Sequence, residues 1–221
     1  MLRKLFGKSS AVDARSGSPT ILSGPRVPRH SSAWAAMHKH LQQEANLRIL
    51  DIGPTSPSNI NFLTSLGHSV YMADIVHEAM KPEWVKKVKE GDGPEVEQFD
   101  TEGFLAHNLE FSGRLFDVVL LWTTLDYLPD AVIDQVIDRF HASLLPGGKI
   151  LALFHTKKVG DDTAYCRYHL TPTDNVEVQE SERFPVRRVY TNRSIEKLFS
   201  DYSNCKFFLA KDNVYEVIIS R

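Results

Sequence analysis

Two carboxylates, Asp51 and Asp74, each close an apolar run, and Gly53 follows the first of them. The runs are Arg48-Ile49-Leu50-Asp51-Ile52-Gly53-Pro54 and Val70-Tyr71-Met72-Ala73-Asp74. An acid and a glycine at one strand end, then a second acid about twenty residues on, are the marks of a nucleotide-binding βαβ unit. The glycine lets backbone approach a ligand, and the second carboxylate can accept hydrogen bonds from both ribose hydroxyls. Ile75, next in the chain, is placed to cover one face of an adenine. His155 ends another apolar run, 150–154. An imidazole at the carboxyl rim of a parallel sheet can take a proton from an oxygen or nitrogen nucleophile near neutral pH, or can simply be a satisfied polar group. Asp126, Tyr127, Tyr168 and His169 are further polar residues near that rim.

Periodicity predicts the elements that position these groups. Ser31 or Ser32 caps a helix over 33–44, with Trp34, Met37 and Leu41 on one face, as a packing helix or a lid over a pocket. Strands are expected at 47–51 and 69–74, joined by a helix over 59–66 that Gly67 ends. A charged helix over 83–90 and a short strand at 104–107 follow. The run 116–122 is nearly all apolar, as a buried parallel strand should be. An amphipathic helix over 131–145 leads through Pro146-Gly147-Gly148 into a strand at 149–154. Residues 156–185 read as an insertion holding a strand or hairpin. A helix over 193–202 precedes strands at 205–210 and 214–220, which so short a link makes antiparallel. The expected fold is α/β and Rossmann-like: a doubly wound, mostly parallel seven-stranded sheet with an antiparallel C-terminal hairpin.

Residues 1–30 are rich in Ser, Gly, Pro and Arg and read as a flexible arm; 31–221 read as one domain. A net charge of -2 gives no global field toward nucleic acid or membrane, although the arm is basic. No apolar run approaches membrane-spanning length, and Met1 to Lys8 lack the apolar stretch of a secretory signal. Cys166 and Cys205 fit no zinc or redox spacing. These features point to a cytoplasmic protein, and the acidic balance disfavours nucleic acid as its substrate.

The chain resembles the class I S-adenosylmethionine-dependent methyltransferases over roughly 47–221. The resemblance rests on Leu50-Asp51-Ile52-Gly53, on Asp74, and on Phe116-Asp117-Val118-Val119-Leu120-Leu121 with Leu125-Asp126-Tyr127-Leu128-Pro129-Asp130. Leu144-Leu145-Pro146-Gly147-Gly148-Lys149 and the terminal hairpin complete it. It implies S-adenosyl-L-methionine as cofactor. Asp51 would then face the methionine amine, or cap the amides of 55–59, and Asp74 would hold the ribose. Asn108 would read the adenine amino group, or be a turn residue. Trp122 would lie against the sulfonium or adenine, or be core. The family has small residues at alternate positions after the acid; here Pro54-Thr55-Ser56-Pro57-Ser58 stands, and the prolines remove two amide donors. Hydroxyls of Thr55, Ser56 and Ser58 could replace them. Methyl transfer to a small-molecule nucleophile is one expectation; a non-catalytic module of the same fold, its cofactor loop lost, is the other.

Overall fold

The computed structural model describes residues 24–54, 56–89, 91, 93–157, 163–209 and 212–221. The first half runs β1 (Val27–His30), α1 (Ser32–Gln43), β2 (Arg48–Ile52), α2 (Pro57–Ser65), β3 (Ser69–Ala73), α3 (Ile75–Ala79), β4 (Val85–Lys89), β5 (Glu95–Phe99) and α4 (Thr101–Asn108). The second half runs β6 (Phe116–Trp122), α5 (Asp130–Ser143), β7 (Leu144–His155), β8 (Thr163–Leu170), β9 (Asn175–Phe184), α6 (Asn192–Leu198), β10 (Asn204–Phe208) and β11 (Val214–Ser220).

The central sheet has the order β10-β11-β7-β6-β2-β3. β3, β2, β6 and β7 are mutually parallel, and β11 runs antiparallel to both its neighbours. One face packs Ile49, Val118, Leu120, Leu151 and Leu153 against Trp34, Met37 and Leu41 of α1 and Leu63 of α2. The other packs Leu50, Ile52, Val119 and Leu121 against Phe104 of α4, Val136 and Phe140 of α5, and Ile195 of α6. Burial on both faces explains the unbroken apolar runs of β6 and β7.

The sheet has six strands where seven were expected. The segment 104–107 lies inside α4, because Asp100 caps that helix, accepting from the Gly103 amide at 3.3 Å. The charged segment at 83–90 is no helix either. After one tight turn over Pro82–Trp84 it becomes β4, antiparallel to β5. Lys87 stands opposite Glu97 and Lys89 opposite Glu95, and these cross-strand charge pairs outweigh the helical propensity of lysine.

A second sheet, β1-β9-β8, joins the two strands of the insertion to one from the N-terminal stretch. β1 begins inside the stretch read as an arm, with Val27 opposite Val178 and His30 opposite Asn175; residues 1–23 lie outside the described ones. Arg29 anchors it to the central sheet, donating to Asp212 at 2.6 Å and to buried Glu216 of β11 at 2.5 Å. Glu216 also accepts from the Ala33 amide at the start of α1 (2.8 Å). The α1 helix is a packing element: Trp34 is fully buried, and its indole donates to the Thr171 and Thr173 carbonyls.

Glu216→Ala leaves a part-buried guanidinium and a helix-terminal amide without their acceptor. Denaturant titration should show a loss of about 3 kcal/mol, against less than about 1 kcal/mol for Asp212→Ala at the exposed end of the same network.

Candidate functional site

The strand ends of the central sheet meet β8, which crosses above them. Asp51, on β2, is buried. Its Oδ1 accepts from the Trp122 indole at 2.8 Å, and its Oδ2 from the Asn59 amide at 3.1 Å. Burial pushes its pKa up, and these two donors pull against that rise. Asn59, on α2, reaches further: its Nδ2 donates to the Tyr168 carbonyl (2.9 Å) and its Oδ1 accepts from the Leu170 amide (2.8 Å). One side chain therefore clips β8 to the central sheet.

Trp122 ends β6 at φ 48°, a left-handed backbone that is costly for a bulky residue. Its bond to Asp51 and a parallel stack on Tyr168, with centroids 4.8 Å apart, hold it there. Gly53 lies beneath: a Cβ added to it would come within 3.3 Å of Trp122 Cδ1 and 3.6 Å of Tyr165 Oη. The glycine thus permits close approach, but by side chains of this chain. Thr55 lies outside the described residues. Ser56 and Ser58, expected to face a ligand, instead contact His169 Nδ1 at 2.8 and 3.0 Å.

Asp74 follows β3, as expected, and caps α3. Its Oδ2 lies 2.5 Å from His77 Nδ1, and His77 Nε2 is 3.4 Å from Glu182 of β9. Burial lowers the His77 pKa, but the hydrogen bond to Asp74 and the charges of Asp74 and Glu182 leave it raised on balance. Tyr165, also from the insertion, is fully buried among His77, Tyr127 and Phe184, its hydroxyl 3.3 Å from Thr124 Oγ1. Burial, with Asp74 nearby, raises its phenol well above the ordinary value, so it stays neutral. Ile75 is core. Asn108 closes α4 and not a strand, and it donates to the Phe104 carbonyl of its own helix (2.9 Å).

Further along the rim, His155 ends β7 and is held by Asp126. The Asp126 Oδ2 accepts from the His155 amide at 2.7 Å and lies 2.6 Å from His155 Nδ1. Asp126 is fully buried, and its Oδ1 has no hydrogen-bond partner among the described residues. Burial pushes its pKa up to about 6 against the pull of His155. The His155 ring meets Tyr127 edge-on, and Tyr127 meets Tyr165. A buried carboxylate that fixes one imidazole nitrogen leaves the other to exchange a proton.

A methyltransferase domain model matches residues 29–203, most of the chain. The chain belongs to the methyltransferase domain family. It is a member of the class I superfamily, whose cofactor is S-adenosyl-L-methionine. Among solved structures, this methyltransferase-family chain is similar to the 1,6-didemethyltoxoflavin-N1-methyltransferase of Burkholderia thailandensis, with 16% identity over 86% of this chain and 76% of that one (TM-score 0.47). It is similar to a SAM-dependent methyltransferase of Methanosarcina mazei, with 15% identity over 83% and 96% (TM-score 0.46). A protein of Pyrococcus horikoshii gives 13% identity over 85% and 88% (TM-score 0.49). A search of the curated proteins finds no significant match.

Asp51 closes β2 and Asp74 follows the adjacent β3. Tyr165 and His77 pack beside Asp74, and Trp122 stacks on Tyr168 next to Gly53. Two grooves of about 580 and 680 Å³ lie elsewhere, and neither is lined by Asp51, Gly53, Asp74 or Tyr165. Exposing a buried tyrosine ring costs about 2 kcal/mol. Breaking both Asn59 bonds to β8 costs about 1 kcal/mol each.

Asn59→Ala removes the clip, so hydrogen exchange at the Leu170 amide should speed up by at least about tenfold, while amides in the middle of β6 keep their protection. The raised Asp126 pKa means that the folded state binds more protons than the unfolded chain between about pH 4 and 6. The contribution of Asp126 to stability should therefore fall as pH rises through that window. In Asp126→Asn, chemical denaturation across the same pH range should show that slope lost.

Proposed function

We propose that this chain transfers a methyl group from S-adenosylmethionine to an oxygen or nitrogen of a small cytoplasmic molecule. The observation that carries the reading is the buried Asp126 carboxylate holding His155 at the rim of a methyltransferase-family sheet. His155 takes the proton that the acceptor loses, and Asp126 balances the resulting imidazolium. Tyr127 lies between His155 and Tyr165, so an acceptor would occupy ground now held by aromatic rings. Tyr127 and the insertion strands β8 and β9 line that ground, and specificity would reside in them. Unpaired Cys166 and Cys205 agree with a reducing compartment. The filled crevice favours one rival, a non-catalytic module of the same fold.

Formation of S-adenosylhomocysteine over a panel of small phenols and amines separates the two. Turnover with at least one acceptor is expected, and His155→Ala should lower kcat about 100-fold. A panel on which neither the wild type nor a variant with an emptied crevice produces S-adenosylhomocysteine supports the module.

A further inference from the structure

We propose that the β8–β9 hairpin is an intramolecular competitor for the adenosyl crevice, with Tyr165 as the group that occupies it. The inference rests on the methyl-transfer reading, and it adds that the fold described here is the closed, cofactor-excluding form. Contacts from several elements hold the hairpin in place, with Ser56 and Ser58 on His169 and Tyr127 on the Ala164 carbonyl among them. Asn59 of α2 clips the backbone of β8 at Tyr168 and Leu170. Trp122 of β6 stacks on Tyr168. Thr124, in the turn after β6, meets the Tyr165 hydroxyl. His77 of α3 lies between Asp74 and Glu182 of β9, so the acid expected to hold a ribose is engaged by a side chain that also reaches the hairpin.

At Gly53 the Tyr165 hydroxyl and the Trp122 ring occupy the approach that the glycine leaves open, and at Asp74 an imidazole takes the carboxylate. A ligand that must first displace them binds with its intrinsic affinity reduced by the fraction of open molecules. The cost of freeing Tyr165 and both Asn59 bonds corresponds to a reduction of about a thousandfold.

Calorimetry with S-adenosylhomocysteine on the full chain tests this. Tyr165→Ala should bind about 30-fold more tightly than wild type, because it removes the ring but keeps the clip. Tyr165→Phe, which keeps the ring, should match wild type within about threefold. Glu182→Gln, a half-exposed change on the outer side of the hairpin, should tighten binding a few-fold and guards against misfolding of the alanine variant. Equal affinity in wild type, Tyr165→Ala and Glu182→Gln overturns the competitor while leaving the methyl-transfer reading intact. Folded variants that bind no S-adenosylhomocysteine at millimolar concentration overturn both.

Discussion

The side-chain amide of Asn59 joins three parts of this molecule. It donates to the carboxylate of Asp51, donates to the backbone of β8, and accepts from the backbone of β8 two residues on. All of its partners are buried, so each bond replaces one that water would otherwise make. Without it, Asp51 would keep Trp122 as its one side-chain donor among the described residues, and the backbone of β8 would lose a buried donor and a buried acceptor, leaving the Ser56, Ser58 and Thr124 contacts to hold the insertion. The closed rim therefore follows from one residue that satisfies a buried charge and a strand backbone at once.

The same economy appears around Trp122. A large residue at positive φ is strained, and here the indole bonds Asp51 while its face lies flat on Tyr168. Strain, buried charge and a fully buried tyrosine gather at the spot where parallel α/β sheets bind ligands. Such a concentration marks a functional place even where no cavity is open. It also sets a division along the rim. At the β2–β3 end Tyr165 packs on His77, whereas the β7 end carries a carboxylate–imidazole pair.

Legibility in the sequence followed the type of interaction. The buried strands β2, β6 and β7 were readable, because burial on both faces leaves apolar runs, and the terminal hairpin was readable from the short turn-prone link at 211–213. A serine cap of α1 at 31 or 32, which the structure places at Ser31, and Gly67 as the end of α2 were readable from local chemistry. The segment 83–109 was not. Its lysines and glutamates fit a solvated helix as well as a hairpin, and only pairing of Lys87 with Glu97 and Lys89 with Glu95 decides between them. At the site, Asp51, Gly53, Asp74 and His155 stand at strand ends as expected, since strand ends are set by local pattern. Their partners were hidden. Asn59 sits in a helix like any polar residue, and Tyr165 lies more than a hundred residues from the glycine it covers. Long-range contacts of this kind leave no periodic trace.

Hydrogen exchange of the wild-type chain with and without several millimolar S-adenosylhomocysteine tests the central claim most directly. An ordinary ligand slows exchange in the elements that surround it. If the ligand must evict the hairpin, the Leu170 amide will exchange faster with ligand present while the amides around Gly53 slow. Protection of Leu170 and Gly53 together would contradict the account, because the crevice would then have held its ligand beneath an undisturbed β8.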